Sequence, residues 1–282
     1  MGLRIHTNVP ALVAQRHLRS SRTQLDQSME RLSSGQRINH ASDDAAGLAI
    51  SETFRAQLRG LGVAERNAQD GISVIQIAEG ALSEVSNIII RLRELGVQAS
   101  SDTIGPSERR FLDIEFKQLL DEIDRIANST EFNKVPLLNG SIGSFDIQVG
   151  TGNHAATDRI KLFDANTMDV NTVALGINLT TVEDKLTAQN SLQTLDTALE
   201  NLTAIRAHCG AMQNRLQGVL NNSMVQRENL SSAMSRIRDT DMAEETSELT
   251  RNQILMQSGI AILAQANTSA KAALALLNQG GS

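Results

Sequence analysis

Ile75, Ala78, Leu82, Val85, Ile89 and Leu92 form a series whose separations alternate three and four. A helix shows this period when its apolar seam stays against a partner helix, because winding one helix around another brings the seam back roughly every 3.5 residues. The same alternation returns in Leu112, Phe116, Leu119, Ile123 and Ile126. It returns again in Leu192, Leu195, Leu199, Leu202, Ile205, Cys209, Met212, Leu216 and Val219, with one phase slip between Leu202 and Ile205. Leu230, Met234 and Ile237 carry it further. Repeated seams of this kind predict a mainly α chain of bundled, antiparallel coiled-coil helices drawn out into an elongated rod.

Boundaries follow from the punctuation between seams. Val9, Leu12, Val13, Leu18, Leu25, Met29 and Leu32 give a first, irregular stripe that Gly35 and the polar run to Ala41 interrupt. Ser42 is a good N-cap, with Asp43 and Asp44 placed in the first turn where the helix dipole favours carboxylates. A second helix from there to about Leu95 would span roughly 75–80 Å. Gly60 and Gly62 mark its expected bend, since each costs about 1 kcal/mol relative to Ala. Gly96 to Gly105 reads as a connection and Pro106 as the start of a third helix, folding back antiparallel. Asp241 and Glu244 predict a capping-box start for a last helix that ends near Asn278.

Between Asn128 and about Thr181 the period changes. Asn139-Gly140 predicts a turn. Phe145-Asp-Ile-Gln-Val149 alternates as a strand, and Arg159-Ile-Lys-Leu-Phe163 is its expected partner across a hairpin loop. Gly150-x-Gly152 in that loop is a poor nucleotide-binding signal, lacking the third glycine and the helix that should follow.

Composition excludes several functions. Aromatic residues are 2 % of the chain, all of them Phe, which disfavours a compact enzyme or an aromatic recognition surface. A net charge of −6 disfavours a nucleic-acid partner. The five histidines and one cysteine have no metal-ligand spacing, and no nucleophile–base arrangement stands out, so no catalytic, metal or cofactor site is expected. Cys209 lies on a seam and reads as a buried, inert thiol. The first ten residues have no apolar core of the secretory type. The uncharged stretch between Arg251 and Lys271 is studded with amides and hydroxyls (Asn252, Gln253, Gln257, Ser258, Gln265, Asn267), which argues against a membrane span and for burial among other protein helices.

Two separated segments answer each other. Arg31-Leu-Ser-Ser-Gly-Gln-Arg-Ile-Asn-His-Ala-Ser-Asp-Asp-Ala-Ala-Gly47 lies near one end of the chain and Ser235-Arg-Ile-Arg-Asp-Thr-Asp-Met-Ala-Glu-Glu245 near the other. They resemble the signature segments of bacterial flagellin. Thr130-Glu-Phe-Asn133, Leu137-Leu-Asn-Gly140 and Phe145-Asp-Ile-Gln-Val-Gly150 resemble its turn-and-hairpin region. Gln253-Ile-Leu-Met-Gln-Ser-Gly-Ile-Ala-Ile-Leu-Ala-Gln-Ala-Asn267 resembles its terminal helix. Matching features run from Ile5 to Asn278, with no room for large outer variable domains.

The resemblance implies an inner domain pairing residues 1–42 with 240–282 and an outer bundle over 43–239 with a β-hairpin region at about 130–181. It assigns the connection between them to Arg31, Leu32, Gly35, Arg37, Asn39, Asp43, Asp44, Arg236, Arg238, Asp239 and Asp241. Terminal-helix packing falls to Leu25, Leu32, Ile254, Leu255, Ile262, Leu263, Leu274 and Leu277. Ile90-Arg-Leu-Arg-Glu-Leu-Gly-Val-Gln98 is similar to the segment that packs neighbouring subunits and that an innate immune receptor reads in many flagellins. The matched contacts are Arg91, Leu95 and Glu115, although Gly96 stands where the family commonly has Ala. The function implied is structural: a subunit exported unfolded by the flagellar type III apparatus and polymerised into the extracellular filament. Its partners would be copies of itself, hook-junction and filament-cap proteins, and an export chaperone. A hook–filament junction protein is the alternative.

Overall fold

The computed structural model describes residues 8–141, 143–164 and 168–279, with side chains for 8–141, 143–163 and 168–268. Six helices and four short strands follow in the order α1 (Val9–Ser34), α2 (Ala45–Ala99), α3 (Pro106–Ser129), β1 (Glu131–Phe132), β2 (Val135–Pro136), β3 (Ser144–Gln148), α4 (Ala155–Asp158), β4 (Arg159–Asp164), α5 (Lys185–Arg238) and α6 (Met242–Gln279). The chain is mainly helical, with long helices and a small antiparallel hairpin region. It divides into two compact units, one of residues 1–56 and 230–282, the other of residues 57–229.

In the unit of residues 57–229 the core is the predicted seam. Ile75, Ala78, Leu82, Val85, Ile89 and Leu92 of α2 are all fully buried, against Phe116 and Ile123 of α3 and Leu195, Leu202, Cys209 and Leu216 of α5. Burial pushes the Cys209 thiol up to about 11, which keeps it protonated and unreactive at neutral pH. Gly60 and Gly62 do not interrupt α2, which is helical throughout its 55 residues. At Gly60 a Cβ would stand 2.7 Å from Thr151 Cγ2, so this glycine makes room for the hairpin loop. Gly96 likewise lies inside α2, where a Cβ would meet Leu192 Cδ2 of α5 at 3.0 Å. The connection is accordingly shorter than the glycines suggest, and α2 ends at Ala99 rather than Leu95.

Strands β3 and β4 pair antiparallel, with Ile147 opposite Ile160 and a bulge between Phe145 and Asp146. Asn67 Nδ2 donates to the Gln148 carbonyl (3.0 Å) and fixes the hairpin on α2. The loop glycines enclose a carboxylate of the chain itself: Asp158 accepts from the His154 N–H at 2.9 Å and packs on Gly150 and Gly152. An anion already fills the space a phosphate would need.

A second hairpin, β1–β2, lies in the expected hairpin region, although the sequence reading assigned no strands there. Its turn uses Asn133 and Lys134, both at positive φ (49° and 64°), and lysine is an uncommon choice there. Gly140, at φ +70°, makes the expected turn after Asn139.

The non-helical return from residue 168 to 184 is held to α3 by two carboxylates. Asp113 accepts from the Val182 N–H (3.1 Å), while Asp124 accepts from both the N–H and the hydroxyl of the buried Thr172, each at 2.8 Å. Asp124→Ala would strand the Thr172 N–H and remove two charge-assisted bonds. The expected loss is about 2–3 kcal/mol of unfolding free energy, read by urea denaturation, with Asp124→Asn losing less.

In the other unit α1 and α6 run antiparallel, their Cα atoms within 8 Å of each other. Asn8 Nδ2 donates to the Ala266 carbonyl (3.1 Å), Leu18 packs over Gly259, and Arg31 pairs with Glu245 (3.7 Å). The close approach has a simple cause: the seam is made of small side chains. Ala14, Ser28, Asn252 and Ala266 are buried in it, with Leu25 the one large aliphatic buried on α1. The predicted α1 stripe is therefore split. Leu25 faces α6, whereas Val9, Leu12, Val13 and Met29 are exposed. Large residues at those positions would have held the backbones apart.

Candidate functional site

The two signature segments meet within the unit of residues 1–56 and 230–282. Gly35, at φ +71°, ends α1 in the left-handed conformation and donates its N–H to the Arg31 carbonyl (2.8 Å). Only glycine enters that region without steric cost. The chain then turns alongside the end of α5. Gln36 and Asp239 form an antiparallel bridge, the Arg37 N–H donates to the Arg238 carbonyl at 2.6 Å, and the Thr240 N–H to the Gly35 carbonyl at 3.1 Å. Two arginines cross in opposite directions. Arg37 donates to the Ile237 carbonyl (2.8 Å), and Arg238 donates to Gln36 Oε1 (2.9 Å) and Glu52 Oε1 (2.8 Å).

The aspartates manage the turns. Asp43 lies outside the helix, and its Oδ2 accepts from the backbone N–H of Asn39 (3.1 Å) and His40 (2.9 Å). Asp44 Oδ1 accepts from the Gly47 N–H (2.9 Å) and is the group that starts α2. The expected N-cap at Ser42 is thus displaced by two residues, and Asp43 serves the preceding turn instead of the helix dipole. Those two backbone donors hold the Asp43 carboxyl below the usual aspartate range. Asp241 Oδ1 accepts from the N–H groups of Ala243 (2.8 Å) and Glu244 (3.2 Å), which is the N-cap half of the expected box. Ile38, the lone apolar residue in the polar run, is buried and would clash at 2.8 Å with a Cβ on Gly47.

Of the remaining connector residues, Leu32 is half-buried, Asn39 Nδ2 donates to Ser34 Oγ (2.9 Å), and Arg236 is exposed and donates to Ser232 Oγ (2.9 Å). Gln36, Ile38 and Glu52 were not singled out by sequence. Ile38 could have been found as an isolated aliphatic, but nothing in a helical pattern marks Glu52 as the partner of an arginine 186 positions away.

Arg238, as hydrogen-bond donor, holds the Glu52 carboxyl below the usual glutamate range. A lowered folded-state pKa contributes stability above the unfolded value, near 4.3, that is lost as pH falls through the folded value. Glu52→Gln is expected to flatten the acid limb of Tm against pH below about pH 5, with little change at pH 8. Calorimetry across that range checks it.

Arg91 and Glu115 come together on the surface. Arg91 Nε and Nη2 donate to Glu115 Oε1 at 3.1 and 2.9 Å, and Nη1 to Glu94 Oε2 at 2.9 Å. Glu115 and Glu94, as hydrogen-bond acceptors, raise the guanidinium pKa further. Leu95 does not join them. It is 1 % exposed inside the helical core, one position before the next seam step at Gly96. Its side chain is not on the surface that Arg91 and Glu115 share.

Ile254, Leu255 and Ile262 are about half-exposed or more, and Leu263 is half-buried. The side chains of Leu274 and Leu277 lie outside the described residues. Among the described residues no group of three or more His, Cys, Asp or Glu is placed to hold a metal ion, and no helix is long and apolar enough to cross a membrane.

Comparison with known proteins gives one answer. Residues 5–142 match the bacterial flagellin N-terminal helical region, and residues 192–277 the C-terminal helical region. Flagellin of Halalkalibacterium halodurans is 45 % identical over 273 residues, covering 97 % of this chain and 99 % of that protein. A flagellar filament 33 kDa core protein of Treponema phagedenis is 41 % identical over 288 residues, with 97 % and 99 % covered. The crystal structure of Bacillus cereus flagellin superposes with a TM-score of 0.50 at 34 % identity, covering 60 % of this chain and 94 % of that one. Matched at both ends by the family models and along nearly its whole length by such relatives, the chain belongs to the bacterial flagellin family.

Proposed function

We propose that this chain is the repeating subunit of a flagellar filament outside the cell, joined to its neighbours through α1 and α6. One observation carries the assembly reading. The α1–α6 seam is already filled by small residues, yet Leu12, Val13, Met29, Ile254, Leu255, Ile260 and Ile262 remain exposed on the same two helices. Apolar surface of that extent on a helix pair gains about 25 cal/mol per Å² when covered. Contacts between copies that do not close on themselves produce an open helical polymer.

In this reading residues 1–42 with 240–282 form the inner domain and 43–239 the outer one, connected at the Gly35–Asp44 and Arg236–Asp241 segments. The exposed Arg91–Glu115 pair is the interface element of the outer domain and the part an innate receptor would read, without Leu95. The type III export apparatus, a chaperone holding α6, and the junction and cap proteins complete the partner set. The test is expression in a motile bacterium deleted for its own filament subunit. Long filaments and restored swimming are expected, with antibody label along the whole filament. Label confined to a short segment next to the hook would overturn the reading in favour of a junction protein.

A further inference from the structure

We propose that Arg16, Arg19 and Arg22 of α1 form a pairing surface for Asp239, Asp241 and Glu244 of a second copy of this chain. The inference rests on the filament-subunit reading and adds to it the chemistry of one contact. The three arginines are spaced three apart, so they lie along one side of the helix as neighbours, and all three are exposed. Among the described residues none of them has an ion pair or a side-chain hydrogen bond. By contrast Arg31, Arg238 and Arg251 of the same unit are each paired with a carboxylate, on Glu245, Glu52 and Glu248.

The reason is the register of the two helices. With Asn8 at Ala266, Leu18 at Gly259 and Arg31 at Glu245, positions 16–22 lie level with 254–260, inside the charge-free stretch of α6. Among the described residues, repulsion among the guanidiniums is eased on α1 only by Asp26, four residues beyond Arg22. The acids that match them in number, Asp239, Asp241 and Glu244, are exposed at the start of α6 and have no ion pair among the described residues. They sit about 20 Å further along the helix axis at about 1.5 Å per residue. A single copy cannot bring the two groups together. A parallel copy displaced by that distance does, and each copy then offers the basic stripe to one neighbour and the acids to another. Such a contact is head-to-tail and open-ended. The chain's net charge of −6 disfavours a nucleic acid as the partner.

The test is the critical concentration for polymerisation of the full chain, by sedimentation and electron microscopy, for wild type and three variants. These are R16E/R19E/R22E, D239K/E244K, and the two sets combined. Each exposed pair is worth roughly a twofold change, so the arginine reversal should raise the critical concentration about tenfold or more. The acid reversal alone should raise it too, and the combination should restore most of the loss. Far-UV circular dichroism of the monomers checks folding. Should the reversals misfold, R16Q/R19Q/R22Q keeps the question open to measurement: sodium chloride raised from low to moderate concentration, well below salting-out, should raise the critical concentration of wild type relative to that of this variant. Arginine variants that polymerise like wild type, or single reversals whose combination does not recover, would overturn the pairing. Failure of the wild-type chain to polymerise at all would instead overturn the filament reading beneath it.

Discussion

Ile262→Asp is expected to leave the monomer almost untouched and to abolish polymerisation. The side chain is 60 % exposed and seven residues from Leu255, so the two share a face of α6 that the described residues do not cover. At an exposed helical position the substitution should change unfolding free energy by about 0.5 kcal/mol or less. In an assembled filament the same carboxylate would be buried against apolar neighbours without a partner, at a cost of several kcal/mol. The critical concentration should rise by about 100-fold or more, while Ile262→Leu stays near wild type. Thermal unfolding of the monomer and sedimentation of the polymer read the two effects separately. A variant that loses monomer stability by several kcal/mol would mean that this face is covered within the chain.

The second large effect is expected at three consecutive isoleucines that differ only in direction. Ile89 is fully buried on the seam, Ile88 is half-buried, and Ile90 is 45 % exposed. Ile89→Ala removes three buried carbons from a packed core and should cost about 2–5 kcal/mol. Ile90→Ala should cost less than about 1 kcal/mol, partly because alanine is the better helix former. Chemical denaturation of the two variants side by side gives the comparison. Equal losses would mean that the seam is wrongly phased. The assembly consequence runs the other way. Ile90 lies beside the Arg91–Glu115 pair, so its replacement should be felt more in filaments than in monomers.

These isoleucines also show what was legible in the sequence. Where a seam is built from large aliphatics, their three–four alternation gives both the helix and its buried face, and every member of the Ile75–Leu92 series is where the period puts it. The α1–α6 seam hides from the same reading because, Leu18 and Leu25 apart, it is made of Ala, Ser, Asn and Gly. Most of the large residues on those helices are left outside, so a search for apolar stripes finds mainly the outward face instead of the seam. Glycines mislead in the same way. Gly60 and Gly96 look like breaks, yet each is a place where another element comes close to an unbroken helix.

The signature segments were visible as motifs, but their geometry was not. That Asp43 serves a turn while Asp44 starts the helix depends on two N–H directions, which adjacent identical side chains do not reveal. The cross-bonding of Arg37 and Arg238 depends on bringing together positions about 200 residues apart. Leu95 shows the opposite error. Its place in a family-like segment suggested the surface, and the three–four alternation steps from Leu92 to Gly96 and Ala99 and passes it by, yet it is buried beside that seam.

The most direct test is electron microscopy of the purified full chain after seeding or salting-out, beside the chain truncated before α6. Long tubes from the full chain and none from the truncated one are the predicted result, since the truncation removes both the partner of α1 and the exposed face of α6. Tubes of equal length from both would place the polymerising contact in the unit of residues 57–229 and contradict the account of assembly through the terminal helices.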